Sequence, residues 1–171
     1  TQFDPNPPYI SELNNYTGSY RRTFELPKDW KGKDVYFHVG SATSNLTLWV
    51  NGKYVGYSED SKVAAEFNIS KYLKPGKNLI AMQVMRWCDG SYFEDQDFWR
   101  FTGIAREVYL YARPKLHAAD IRLNAGLENN YQDGVLNYQI ALKGGKTDVT
   151  VALCDKDGKQ IASAIGAQGI I

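Results

Sequence analysis

The sequence predicts an all-β chain built as a β-sandwich, and three observations predict it. Apolar and polar residues alternate in short runs separated by turn residues, the period of half-buried strands. Asn51-Gly52 sits between two such runs, the strongest short hairpin signal, because both residues tolerate positive φ. No stretch carries a long 3.6-residue apolar period, so helices alternating with strands are not expected.

Taken in order, the opening segment holds Pro5, Pro7 and Pro8 and is expected to run extended over the surface. Tyr20 to Leu26 alternates rings and aliphatics with Arg and Thr, a first strand. Val35 to Val39 is a second. Leu46 to Val50 is a third, with Leu46, Leu48 and Val50 on one face. The hairpin then returns as Lys53 to Tyr57. Phe67 to Ile69 leads to Ser70, read as the cap of one helical turn that runs through Leu73 and ends at Pro75-Gly76. Leu79 to Val84 and Glu107 to Tyr111 complete this set. Short strands spaced by turns describe a sandwich or jelly roll.

Ala112-Arg113-Pro114-Lys115 reads as a domain joint, because beyond Tyr111 only Tyr131 and Tyr138 remain of the aromatics. The expected domains are 1–114 and 115–171. Strand-like runs continue at Asp120 to Ala125, Gly134 to Leu142, Asp148 to Cys154 and Gln160 to Ile165, with a turn at Asp155 to Gly158. They resemble the start of an immunoglobulin-like sandwich, which needs about 100 residues and seven strands. Roughly four strands are expected here, so the second domain is expected to be truncated or completed from outside. An uncovered apolar face around Val149, Val151 and Leu153 would then favour pairing with another copy or disorder.

Bulk properties exclude several classes of partner. Net charge is +1, from 20 basic and 19 acidic side chains, so neither nucleic acid nor a membrane surface is expected. No apolar stretch approaches a membrane span, and the first residues lack the pattern of a signal peptide. A mature exported chain would lack one too, so a cytoplasmic or periplasmic place stays open. Cys88 and Cys154 have no zinc or disulfide spacing and read as reduced thiols. Asn15, Asn45 and Asn68 each begin an Asn-x-Ser/Thr sequon and carry little weight in a sequence this rich in those residues.

Arg86 to Arg106 is the informative run. It packs Asp89, Glu94, Asp95 and Asp97 among Trp87, Tyr92, Phe93, Phe98 and Trp99. Carboxylates accept hydrogen bonds from hydroxyls or hold a cation, and rings supply flat contact surface. A sugar, with hydroxyls on its rim and C–H groups on its faces, fits both. The competing reading is a structural corner in which Arg86, Arg100 and Arg106 pair the acids. His38 reads as a sheet-face residue and His117 as solvated, neither with a catalytic partner at useful spacing. Trp49 and Tyr57, which flank the hairpin, read as packing residues.

Three segments carry a resemblance: Tyr20 to Phe24, Leu48 to Tyr57 and Phe101 to Val108. Together they resemble the N-terminal jelly-roll, galactose-binding-like domain of family 2 glycoside hydrolases, over about residues 15–115. The segment Arg86 to Arg100 is similar to the large bacterial β-galactosidases of the lacZ type. That resemblance implies a retaining hydrolase of terminal β-D-galactosides whose two catalytic glutamates lie on a (β/α)₈ barrel. This chain would supply one wall of the sugar pocket and no catalytic residue, and would be inactive alone. The resemblance further implies that Asp97 touches the galactose 6-hydroxyl and helps hold sodium. It implies that Asp89 joins a magnesium site together with Glu59, where the family has glutamine. The barrel, an asparagine of the sugar pocket and the other magnesium ligands are expected outside these 171 residues. The expected partners are a β-galactoside or galactose, the barrel of the same polypeptide and another copy of the chain. A stand-alone carbohydrate-binding module and a structural spacer without ligand are the rival readings.

Overall fold

The computed structural model describes residues 6–94, 99 and 101–171. The chain divides into two compact units, Thr1–Ala112 and Arg113–Ile171.

The first unit contains β1 (Thr17–Phe24), β2 (Asp34–Val39), β3 (Ala42–Thr43), β4 (Leu46–Val50), β5 (Lys53–Ser58), β6 (Ala65–Asn68), β7 (Asn78–Met85), β8 (Gly103–Ile104) and all but the last residue of β9 (Val108–Arg113). Three-residue 3₁₀ turns at Lys28–Trp30 and Ser70–Tyr72, and a longer one at Asp89–Tyr92, are the only helical pieces among the described residues. One sheet has the order β1-β7-β4-β5 and a second has β6-β2-β9. A short β3-β8 pair bridges residues far apart in sequence.

Alternation decides which side chains meet between the sheets. Val35, Phe37 and Val39 of β2 face Leu46, Leu48 and Val50 of β4, with Ile80 and Val84 of β7, in one buried cluster. These positions follow the period of two that the sequence shows. Asn51 and Gly52 have φ of 51° and 79°, the conformation of a tight two-residue hairpin turn, and Val50 pairs with Lys53. A bulge between Leu48 and Trp49 shifts the register of the strand pair. Gly56 is needed for close approach, because a Cβ there would lie 2.6 Å from the Phe67 ring.

Two local expectations are corrected. Residues 6–9 do not run extended; they turn, closed by the Tyr9 N–H donating to Asn6 O at 2.8 Å. The Tyr92 hydroxyl accepts from the Asn6 amide and donates to Tyr9 O, so a ring from elsewhere holds the turn. Ser70 is not a cap: Ile69 occupies the cap position without a side-chain bond. The Ser70 hydroxyl instead accepts from the Val35 amide at 2.8 Å and ties the 3₁₀ turn to β2.

The sequons also resolve into structure. Asn45 is buried and accepts from the Met85 amide at 3.0 Å. Asn15 clamps Trp87, accepting from its N–H at 2.9 Å and donating to its carbonyl at 3.1 Å. Asn68 accepts from the Ser70 amide at 3.0 Å. Asn45 and Asn15 thus bond backbone distant in sequence, and Asn68 bonds the amide two residues on.

The second unit holds β10 (His117–Glu128), β11 (Asp133–Lys143), β12 (Thr150–Cys154), β13 (Gln160–Ile165) and β14 (Gln168–Ile170). Its sheets are β10-β11-β14 and β12-β13. β14 is a fifth strand, absent from the sequence reading. Val149 and Val151 are half-buried and Leu153 is exposed, as are Ile121, Leu123, Ile161 and Ile165, so the uncovered apolar surface is wider than expected. Asp155 caps its turn by accepting from the amides of Asp157 and Lys159, both at 2.9 Å.

Candidate functional site

The run that drew attention in the sequence begins where β7 ends. Met85 hands the chain to Arg86, Trp87 and Cys88, and a single 3₁₀ turn at Asp89–Tyr92 follows. The turn is held at its start by a reciprocal pair: the Cys88 amide donates to Ser91 Oγ at 3.0 Å, and that hydroxyl faces Cys88 Sγ at 3.9 Å. This places Cys88 inward, buried, with Asp89 beside it and exposed.

The other half of the corner is the end of β5. Tyr57 and Glu59 lie two residues apart, and the Tyr57 hydroxyl donates to Glu59 Oε1. Two residues further on, Ser61 is buried. Its amide donates to Glu94 Oε1 at 3.1 Å and its hydroxyl donates to Glu94 Oε2. Glu94 therefore locks the chain after β5 to the chain after β7, across 33 residues of sequence.

That lock brings Glu59, Cys88 and Asp89 together. One carboxylate oxygen from each acid and Cys88 Sγ lie within 4.8 Å of one another. The electrostatics report the crowding. The hydrogen bond from Tyr57 draws the Glu59 carboxyl down, but burial, a hydrogen bond with Asp89 and the charges of Asp89 and Glu94 outweigh it and push it up. Tyr57 is pushed up as well, by burial first and then by Glu59 and Cys88. Two carboxyl groups held this close repel each other when both are charged, and a cation would relieve that repulsion.

The predicted site residues are distributed unevenly. Asp89 and Glu59 meet. Asp97 lies outside the described residues, as does Asp95. Glu94 is part of the scaffold. Arg106 Nη1 donates to Lys62 O at 3.0 Å. His38 Nδ1 lies 2.9 Å from Glu66 Oε1 and its ring stacks on Tyr109, so it belongs to the outer sheet face. His117 Nδ1 donates to Pro114 O at 2.6 Å. Tyr57, read as packing, orients Glu59 instead. Cys88 and Ser61 were missed. The sequence shows Cys88 beside Asp89, but nothing local says that its thiol turns toward Glu59.

Next to the corner, Ser61, Glu94, Arg86, Trp87, Trp99 and Phe101 line a hollow of about 40 Å³. Trp99 and Phe101 stack at 6.4 Å between centroids and are 80% and 68% exposed, which leaves a broad aromatic surface open at its rim.

Because Glu94 accepts both bonds from Ser61, Glu94→Gln is expected to lose one charge-assisted acceptor and cost about 1.5–3 kcal/mol. Urea unfolding followed by tryptophan fluorescence measures it. A change within error would show that the lock is not energetic.

The family model described as glycosyl hydrolases family 2, sugar binding domain, matches residues 3–114. A β-galactosidase of Priestia megaterium is 47% identical over 167 residues, which cover 92% of this chain and 16% of that protein. One from Clostridium acetobutylicum is 41% identical over 157 residues, covering 91% and 18%. The chain thus spans about a sixth of the length of these curated relatives. Among solved structures, a β-glucuronidase of an uncultured Clostridium superposes with a TM-score of 0.79 at 20% identity, over 92% of this chain and 29% of that one. A β-D-glucuronidase of Dictyoglomus thermophilum gives 0.77 at 24%, over 92% and 30%. At such identities these two show the shared fold.

Proposed function

We propose that this chain, which belongs to the family 2 glycosyl hydrolases through their sugar-binding domain, serves a β-galactosidase that hydrolyses terminal β-D-galactosides with retention. Its part is one wall of the sugar pocket. The cleaving carboxyl groups belong to a barrel of the same polypeptide, as the resemblance implies. The observation that carries this reading is the high identity to β-galactosidases along most of the chain, well above the identity to the glucuronidases that share its fold.

The side chains support a binding role. Retaining hydrolysis needs a proton donor and a free nucleophile about 5–5.5 Å apart across the scissile bond. Glu94 is engaged by Ser61, Glu59 by Tyr57, and Glu66 by His38 and Tyr111. The exposed Trp99–Phe101 stack offers instead the flat surface that a sugar face or a neighbouring domain would cover.

In the same proposal Asp97 contacts the 6-hydroxyl and shares a sodium ion, and residues 115–171 form an immunoglobulin-like domain that pairs with further chain or another copy. A divalent cation falls to Asp89 and Glu59. For magnesium, the two carboxylates fit a hard ion that prefers oxygen, and the Cys88 thiol among them does not. A bound cation would neutralise the corner and fix the turn at Asp89–Tyr92, upstream of Asp97.

The test sets two substrates against two proteins. An enzyme of the relatives' length carrying this sequence should hydrolyse an aryl β-D-galactoside far faster than the matching β-D-glucuronide, with the β-anomer of galactose released first. The 171-residue chain should hydrolyse neither. Glucuronide preference, or measurable turnover by the short chain, would overturn the reading. Weak galactose binding by a protein with no hydrolytic activity at any length would favour the stand-alone binding module.

A further inference from the structure

The donor set at the corner disagrees with magnesium, and we infer that this chain's site takes a thiophilic divalent cation such as zinc, with Cys88 Sγ as a ligand beside Glu59 and Asp89. The inference rests on the cation reading above and concerns which ion the corner selects.

The argument starts from the atoms. Magnesium is small and hard, demands near-octahedral oxygen ligation and keeps several waters. A thiol gives it nothing. Zinc accepts mixed sulfur and oxygen donors in a four-coordinate shell, and stands well above magnesium in affinity for nitrogen and sulfur sites. Here the three candidate ligand atoms span no more than 4.8 Å, a spread that small side-chain rotations can close onto one ion. One further position would be left for water or a backbone carbonyl.

Local structure keeps the thiol facing this way. The Ser91 hydroxyl holds the Cys88 amide, and Ser44 O lies 3.8 Å from Sγ on the buried side. Gly90 borders the space between the ligands: a Cβ there would lie in ordinary contact, 3.5 Å from both Cys88 Sγ and Glu59 Oε2. Glu59 contributes a second charge where the family's glutamine is neutral, which raises affinity for any divalent ion without setting preference. Preference comes from the sulfur. On binding, the thiol proton leaves to solvent as the S–metal bond forms, with no change in oxidation state.

Cys154 is exposed and would bind soft metals on its own, so the test uses the 171-residue Cys154→Ser chain. Zinc binding by equilibrium dialysis should reach one ion per chain and persist against a large excess of magnesium. Cobalt, as a spectroscopic substitute, should give the thiolate-to-metal charge-transfer absorption. Adding Cys88→Ser should abolish that band and weaken zinc by at least about tenfold while leaving magnesium binding unchanged. Glu59→Gln should weaken both ions. A cobalt spectrum without the thiolate band, or equal zinc affinity with serine at 88, would overturn the inference and leave the cation reading standing. No binding of either ion, by this chain and also by a Cys154→Ser enzyme of the relatives' length that includes the ligands expected outside these 171 residues, would overturn both. The cobalt spectrum needs only the Cys154→Ser chain, so it decides the matter even should Cys88→Ser fold poorly.

Discussion

Leu48→Ala is expected to cost the first unit about 2–5 kcal/mol, the range for emptying a fully buried leucine site. Leu48 is 0% exposed and lies on β4, which has β7 on one side and β5 on the other. Its side chain belongs to the cluster in which the two sheets meet, so no solvent can fill the void and little backbone can collapse into it. Against a typical total of about 5–15 kcal/mol, the loss would bring the unit close to unfolding. All four tryptophans, Trp30, Trp49, Trp87 and Trp99, lie in this unit, so their fluorescence in a urea titration follows it separately from the second. Thr47→Ala, on the opposite face of the same strand, is the control and should shift the midpoint far less. Equal effects at 47 and 48 would mean that the alternation of β4 does not decide what is buried. The consequence reaches the site, because the ends of β5 and β7 carry Glu59 and Asp89.

Asp97→Asn, made in the enzyme of full length, is the second large effect. The substitution keeps size and removes charge. A charge-assisted hydrogen bond contributes about 1.5–3 kcal/mol, so kcat/KM for a β-galactoside should fall roughly ten- to a hundredfold. If the carboxylate also holds sodium, the dependence of rate on sodium should flatten in the variant, while its unfolding midpoint stays near that of the parent. Steady-state kinetics across a sodium titration reads both quantities. Wild-type rates with an unchanged sodium response would remove Asp97 from the sugar site, and the acid-rich run would be a structural corner alone. The Glu94–Ser61 lock shows that part of that run already is one.

Much of the fold was legible. Leu46 to Val50 has its observed limits, because strict alternation beside an Asn-Gly turn leaves one register in which the apolar residues face inward. Thr17–Phe24 begins three residues before the predicted strand, and β3, β8 and β14 went unread. Those three are two or three residues long and owe their existence to a partner strand, as Ala42 does to Ile104, so they leave no periodic signal. Ser70 misled for a related reason. A serine before a short turn is a normal cap, but here a buried amide on β2 competed for the hydroxyl and won.

The candidate site was legible as composition and not as geometry. Asp89 and Glu59 entered through a resemblance, and no spacing in the chain links them. What the sequence by itself determined is the longer strands, the hairpin at Asn51-Gly52, the inward faces of β2 and β4 and membership of a family, because each is written in local period or in a run of matching residues. What only the tertiary structure decided is which chain ends meet. The order β1-β7-β4-β5 sets β7 and β5 on either side of β4, Glu94 then ties the segments that follow them, and the thiol of Cys88 turns toward Glu59. The physical reason is range: side-chain alternation reports one strand's two faces, whereas the meeting of residues 59 and 88 depends on how whole strands pair across the sheet.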